Sequence, residues 1–293
     1  MMMDLKFDEP YFLRNLVIHP IVGGNGGSFL TVDEARQAGM LSINDTGMVE
    51  EVDIDFGGGG NLFILDGEEI LGALQNRVFN TSMIATEPVQ RRVPVTCVEQ
   101  HRWEGDRIFS HSDVVAYPSL RSILASSVTR SLKVSRSFRA DQKAVWKSVK
   151  NTLKTFKVSS VTGSMHDAFS TLKDEIDRFV EEAEFPENTR GFIAVAGNKI
   201  LGMDVFVGPE LFRKLRKKLL RGYALEALTR MSGRTIPSTD EIKDFVKYLF
   251  SRDYLKTPGV IEGEELRYSD KKVAVHALKK GGEVIHLAGF PVK

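Results

Sequence analysis

The sequence predicts an α+β fold, with a mainly antiparallel β-sheet core, a helical insertion in the middle of the chain, and further helices before a C-terminal hairpin. Three observations predict it. Up to about residue 115, apolar residues come in short blocks or alternate, which is the strand period. From Pro118 onward they recur at i, i+4 on three successive stretches, which is the helix period. Turn signals sit between neighbouring apolar runs, and no β-α-β alternation of the dinucleotide-binding kind is evident. The 293 residues suit one compact α+β domain over 1–293, with subregions 10–115 rich in strands, 116–190 helical, and 191–293 mixed.

Taken in order, Leu16-Val-Ile-His-Pro-Ile-Val22 reads as a strand, and its proline puts it at an edge. Gly23-Gly-Asn-Gly-Gly27 is a loop, and Thr31-Val-Asp-Glu34 has capping-box spacing for a short helix ending at Gly39. Strand, glycine loop and helix N-terminus in this order suit a phosphate, but no Gly-Lys-Ser/Thr or G-x-G-x-x-G ending accompanies them, so the loop reads as a flexible turn. Met48 to Phe56 alternates as a strand. Leu62 to Leu65 is a short apolar run, Asp66-Gly67 signals a hairpin, and Ile70 to Leu74 is its return strand, continuing through Gln75 to Ile84. Gly67-Glu-Glu-Ile-Leu-Gly72 is echoed by Gly197-Asn-Lys-Ile-Leu-Gly202, so both read as hairpins of one geometry.

Helices are expected over Pro118 to Leu132, Asp141 to Phe156, and Ser164 to about Glu184, where Pro186 stops the third. Pro209 opens another that runs to about Met231, with Gly233 as its stop. Pro237 and Ser238-x-x-Glu241 open a last one to about Phe250. Lys272 to Leu278 and Glu283 to Gly289 close the chain as a hairpin.

The composition excludes several classes. Hydrophobic residues at 42% and charged residues at 27% are ordinary globular values, which excludes disorder and collagen-like order. The one cysteine rules out both an intramolecular disulfide framework and a multi-cysteine zinc site. No apolar run approaches the ~18–20 residues of a membrane helix. Met1-Met-Met-Asp-Leu-Lys-Phe-Asp-Glu9 carries acids where a signal peptide is apolar. The reading is a soluble cytoplasmic protein with no membrane partner. Its six histidines are scattered with no H-x-x-x-H pair, so no metal ligands are assigned, and the cofactor is left unknown.

The unusual stretch is Asn61 to Trp103, where polar groups interrupt apolar strands. A buried polar group costs about 1–3 kcal/mol unless paired. Gln75, Asn76, Arg77, Asn80, Arg102 and Trp103 are therefore candidates to bind a polar ligand, with Glu99 or Glu68 as a proton-transfer group and Cys97 shaping the pocket. From Val93, one strand face carries Val95, Cys97, Glu99, His101 and Trp103, so thiol, carboxylate and imidazole fall along one edge. The same residues also suit a structural network in which Glu99 pairs with Arg77 or Arg102, Cys97 is a small buried hydrophobe, and Asp66 to Glu69 is a solvated turn.

Charge is segregated. Nine basic residues from Arg130 to Lys157 face one acid, Asp141, and many lie three or four apart. Solvated helix faces explain this, and so does an anion site for a phosphate-bearing ligand. No nucleic-acid motif accompanies the charge, so nucleic acid is possible but unsupported.

Several segments resemble one family. Leu30-Thr-Val-Asp-Glu-Ala35, Leu65-Asp-Gly-Glu68, Gly72-Ala-Leu-Gln-Asn-Arg77 and Pro94-Val-Thr-Cys-Val-Glu-Gln-His-Arg-Trp103 are similar to the ARPP family, named for its association with ADP-ribosylglycohydrolase and rhodanese-phosphatase proteins. Asp141-Gln-Lys-Ala-Val-Trp146, Asn198-Lys-Ile-Leu-Gly-Met-Asp204 and Leu219-Leu-Arg-Gly-Tyr-Ala224 are similar to its later sections. The resemblance implies a link to ADP-ribose or NAD metabolism and assigns no catalytic residue. His101 stands where the resemblance implies glycine. Two functions are expected. One is an enzyme or ligand-binding protein for a nucleotide-derived metabolite such as ADP-ribose. The other is a non-catalytic assembly protein whose basic helices contact an acidic partner. Oligomeric state is open.

Overall fold

The computed structural model describes residues 5–24, 26–230 and 239–292. The chain opens with strands β1 (Lys6–Phe7), β2 (Tyr11–Leu13) and β3 (Leu16–Val22), then helix α1 (Val32–Gln37). Eight further strands follow: β4 (Leu41–Asp45), β5 (Glu51–Phe56), β6 (Leu62–Ile64), β7 (Glu68–Gly72), β8 (Arg77–Phe79), β9 (Met83–Ala85), β10 (Val89–Cys97) and β11 (Phe109–Val115). Helices α2 (Pro118–Ser135), α3 (Gln142–Thr155), α4 (Met165–Thr171) and α5 (Lys173–Glu182) are the expected insertion. Then come β12 (Thr189–Ala196), β13 (Lys199–Phe206), α6 (Pro209–Leu228) and α7 (Thr239–Phe250). Strands β14 (Leu255–Pro258), β15 (Glu264–Ser269), β16 (Val273–Lys280) and β17 (Glu283–Pro291) end the chain. The fold is α+β, as the sequence predicts.

The larger sheet has nine strands in the order β1-β3-β12-β13-β17-β16-β15-β14, with β2 also on β3. A six-stranded sheet runs β11-β7-β8-β10-β5-β4, and β6 pairs with β9. Alternate residues of the large sheet enter different cores, as period-2 side chains must. Phe192, Ala194 and Ala196 pack with α2, α3 and α6 residues such as Leu120, Val145 and Leu215. Ile193 and Val195 face the other way, with Ile242 and Leu249 of α7. The six-stranded sheet builds a further core from Ile43, Val52, Ile54 and Phe79, closed by Val32 and Ala35 of α1. The capping box of α1 is formed, with the Thr31 N–H donating to Glu34 Oε2 at 2.9 Å and Thr31 Oγ1 accepting from the Glu34 N–H.

Four local expectations change. Leu16–Val22 is not an edge strand, because β12 pairs along one side and β1 and β2 along the other. Pro20 is tolerated because its carbonyl, and so its missing N–H, faces the place where β1 ends and β2 begins; there only the Asp8 N–H reaches Pro20 O. The third expected helix is two, α4 and α5, divided at Leu172. The break turns the apolar face from α3, which α4 contacts, toward α6, which α5 contacts. The chain from Ile70 to Ile84 is likewise three short strands rather than one. Glycine 27 lies in the described chain, but Asn25 of the same loop, the Met231 and Gly233 helix end, and the Pro237–Ser238 start lie outside the described residues.

The fourth change concerns the echoed motif. Gly197 and Asn198 both have positive φ, +53° and +61°, and join β12 to β13 as a tight hairpin. At Asp66-Gly67 the flanking strands part instead: β6 pairs with β9, and β7 with β8 and β11. The first copy is a corner between sheets. Its carboxylates explain the difference, since Asp66, Glu68 and Glu69 are all buried. The solvated-turn expectation is thereby corrected. Arg121 of α2 reaches over the corner and donates to Asp66 through Nε (3.0 Å) and Nη2 (2.8 Å), and to Asp204 of β13 through Nη1 (2.9 Å) and Nη2 (2.7 Å). Gly67, at φ +73°, is needed there twice over: a Cβ would also lie 2.8 Å from Arg121 Cγ.

Burial alone would raise the Asp66 carboxyl, but the Arg121 guanidinium, with the His276 ring beside it, more than reverses this and holds it well below the usual carboxylate range. Arg121 is itself buried, so removing it leaves two carboxylates uncompensated. Arg121→Met is expected to lower unfolding free energy by about 3–5 kcal/mol, measured by urea denaturation.

Candidate functional site

The residues singled out between Asp66 and Trp103 divide into separate networks. Asn76, Glu99 and Arg102 come together. Arg102 donates to Glu99 Oε2 (2.7 Å), to Asn76 Oδ1 (3.0 Å), and to the carbonyls of Gly72, Ala73 and Glu104. Glu99 also accepts the Asn76 N–H at 2.9 Å. Gln75 donates to the Glu99 carbonyl at 2.8 Å, and Asn76 Nδ2 to Ser164 Oγ at 3.2 Å, which joins the insertion. Burial would raise the Glu99 carboxyl, but the Arg102 and Asn76 hydrogen bonds outweigh it and keep it below its ordinary value, hence ionised at neutral pH.

Arg77 belongs elsewhere. It donates to Asp45 Oδ2 and to the carbonyls of Met48 and Glu51, each at 2.9 Å, and lies over the Phe109 ring. Asn80 accepts from Thr96 and donates to the carbonyls of Val95 and Phe138. Cys97 is fully buried, its thiol directed at Val49 O, and burial pushes its pKa up to about 11, so it is a neutral thiol at pH 7. Trp103 is 54% exposed. None of the five described cavities is lined by any of these residues.

Glu68 and Glu69 complete the buried corner. Glu68 Oε1 accepts from Lys218 Nζ of α6 at 2.6 Å, and Lys218 also reaches Asp33 of α1. Glu69 Oε2 accepts from Ser112 Oγ and from His166 Nδ1 of α4, both at 2.8 Å. The other His166 edge borders a cavity of about 160 Å³ with Asp113, Lys173 and Arg221.

Sequence reasoning missed one site. A cavity of about 520 Å³ lies between α2, α3 and the end of α6. Its wall is rich in hydroxyls, with Ser119, Ser122, Ser126 and Ser127 from α2, Ser148, Thr152 and Thr155 from α3, and Thr229 after α6. Arg130 and Lys147 add two exposed cations, and among the described residues neither has a carboxylate partner. The signal was present as the basic run Arg130 to Lys157 and its i, i+4 spacing, but helix-surface charge gives no hint of a cavity beside it.

A family model described as the ARG and Rhodanese-Phosphatase-superfamily-associated Protein domain (ARPP-1) matches residues 4–290, and the chain belongs to that family. No curated protein and no solved structure matches it.

Two outcomes follow from these contacts. Glu99→Gln is expected to cost about 1.5–3 kcal/mol of stability, because it weakens charge-assisted bonds in a buried network; thermal and urea unfolding measure this. The Glu69 hydrogen bond raises the His166 pKa above 6.5 against the effect of burial. Its contribution to stability is complete below pH 6.5 and is lost as pH rises through the raised value. A histidine NMR titration should place His166 above 6.5, and Glu69→Gln should bring it down.

Proposed function

We propose that this member of the ARPP-1 family binds a nucleotide-derived, phosphate-bearing metabolite, with ADP-ribose the first candidate, in the cavity between α2, α3 and α6. The supporting observation is one wall that combines hydroxyls with two exposed cations, neither of which has a carboxylate partner among the described residues. The volume of about 520 Å³ is within the range of about 300–1,000 Å³ of small-molecule sites. Several of the hydroxyls already donate to backbone carbonyls, Ser122 to Pro291 O and Ser127 to Ile123 O. Each keeps acceptor lone pairs for ribose hydroxyls. Glu226, held by Ser119 Oγ at 2.6 Å, offers a further acceptor. Arg130 and Lys147 would face the phosphates. The family's association with ADP-ribosylglycohydrolase supports the choice of ligand. In this reading the Glu99, Arg102, Gln75 and Asn76 network stiffens the sheet behind the insertion, and Glu68, Arg77, Asn80 and Cys97 contribute through packing.

A second reading rests on one further observation. Lys143, Lys147, Lys150 and Lys154 share the exposed face of α3, opposite the buried Val145, Val149 and Leu153. Such a stripe suits an acidic partner or nucleic acid.

Titration calorimetry with ADP-ribose, NAD and AMP tests the first reading, checked by a thermal-shift screen. ADP-ribose is expected to bind, with Arg130→Glu/Lys147→Glu weakening it at least tenfold while Lys143→Glu/Lys150→Glu changes it little. Absence of binding by all three ligands sinks it. Binding of RNA or DNA that falls steeply with salt and is lost in Lys143→Glu/Lys150→Glu supports the second reading instead.

A further inference from the structure

The Asp66 carboxylate faces two imidazoles on the side away from the solvent. His276 and His286 lie on the paired strands β16 and β17, one register step apart on the same face: His286 is opposite Leu278, and His276 opposite Ala288. Both are buried, His276 to 1% and His286 to 0% exposure. The ligating atoms of Asp66, His276 and His286 lie within 4.8 Å of one another. His286 Nε2 is 3.0 Å from Asp204 Oδ1, which leaves Nδ1 facing Ser82 Oγ at 2.9 Å and Asp66 Oδ1 at 3.6 Å. His276 Nε2 is 3.2 Å from Asp66 Oδ2 but out of line for a hydrogen bond. Among the described residues, neither ring nitrogen of His276 has a hydrogen-bond partner.

We infer that Asp66, His276 and His286 are ligands of a buried divalent transition metal of the zinc class, a structural site at the back of the corner. The inference is independent of the cavity reading. Three arguments carry it. First, a buried imidazole with both nitrogens unmatched is costly, and a metal relieves the half of that cost carried by the lone-pair nitrogen. Secondly, the spacing fits. Tetrahedral ligands at about 2.0–2.1 Å from zinc are separated by about 3.3 Å. His276 Nε2 is 3.2 Å from Asp66 Oδ2 and His286 Nδ1 is 3.6 Å from Asp66 Oδ1, and one ligating atom from each of the three residues falls within 4.8 Å of the others, so small side-chain shifts reach that separation. Thirdly, the Asp204–His286 pair is the outer-sphere arrangement that fixes a ligating histidine, with one nitrogen donating to a carboxylate while the other binds metal. Asp66 and Asp204 share the single Arg121 guanidinium, so the centre holds one uncompensated negative charge for a cation to meet. Nitrogen ligands select a transition metal over magnesium or calcium. Three protein ligands leave the fourth tetrahedral position to a water, and complete burial keeps substrate from reaching it, so the role assigned is structural.

The test is metal analysis of the full chain, purified without a metal-affinity resin, together with uptake of Zn²⁺ and Co²⁺ after chelation. One equivalent of metal per chain is expected, with cobalt giving the ligand-field absorption of a nitrogen–oxygen site and either bound metal raising the Tm. His276→Gln and His286→Gln should each cut metal content to under about a tenth while the far-ultraviolet circular dichroism is retained; Asp204→Asn, acting through His286, should weaken affinity about 10–100-fold. If the histidine variants do not fold, the wild-type cobalt spectrum decides. A wild-type chain that takes up neither metal overturns the inference. So does uptake unchanged in the folded double variant.

Discussion

Three carboxylates within four residues are buried where the chain turns from one sheet toward the other, and each is held by a basic group from a different helix. Asp66 has Arg121 of α2, Glu68 has Lys218 of α6, and Glu69 has His166 of α4. Carboxylates so fully desolvated are stable as anions only with a partner in place. The corner therefore dictates where three helices sit. It also explains where α2 of the insertion and the later α6 pack: both are positioned by charge as well as by the apolar contacts of Leu120, Leu124, Leu215 and Leu219. Gly222 of α6 marks how close that approach is, because a Cβ there would lie 2.7 Å from Val115 O at the end of β11.

The fold class was legible in the sequence because period and punctuation are local properties. The α2 and α3 stripes, the α1 capping box, the Gly197 hairpin and the closing β16–β17 pair all stand where the pattern puts them. What was not legible depends on partners distant in the chain. Asp66-Gly67 has the composition of a hairpin turn, and only the position of Arg121, 55 residues on, makes it a corner. Pro20 looks like an edge residue until the short lengths of β1 and β2 are known. Leu172 carries no breaker at all, yet the apolar face has to turn there.

The candidate site was legible in part. Buried polar groups between Gln75 and Arg102 were expected, and they are buried, but the structure spends them on backbone carbonyls and on one another. Arg102 alone meets three main-chain carbonyls. A strand-face pattern gives side-chain direction but not the loop that comes back to meet it. Conversely, the serines of α2 attracted no attention, because small hydroxyl residues on a helix are unremarkable until a second helix stands off from them. His276 and His286 offered a faint signal: both fall on one face of a hairpin that was correctly delimited.

The corner also bears on how the chain reaches its native state. Asp66 meets Arg121, His276 and His286, and Arg121 bridges it to Asp204, so this centre gathers residues from the first quarter of the chain and from its last twenty. Helices can form early from local contacts, but these groups lose their water only once the final hairpin has closed on the sheet. Such long-range closure is slow, and it links distant segments into one cooperative step. A nascent chain that lacks β16 and β17 holds Asp66 beside Arg121 without the strands that seal them, and so keeps a hydrated, loosely packed centre until synthesis is complete.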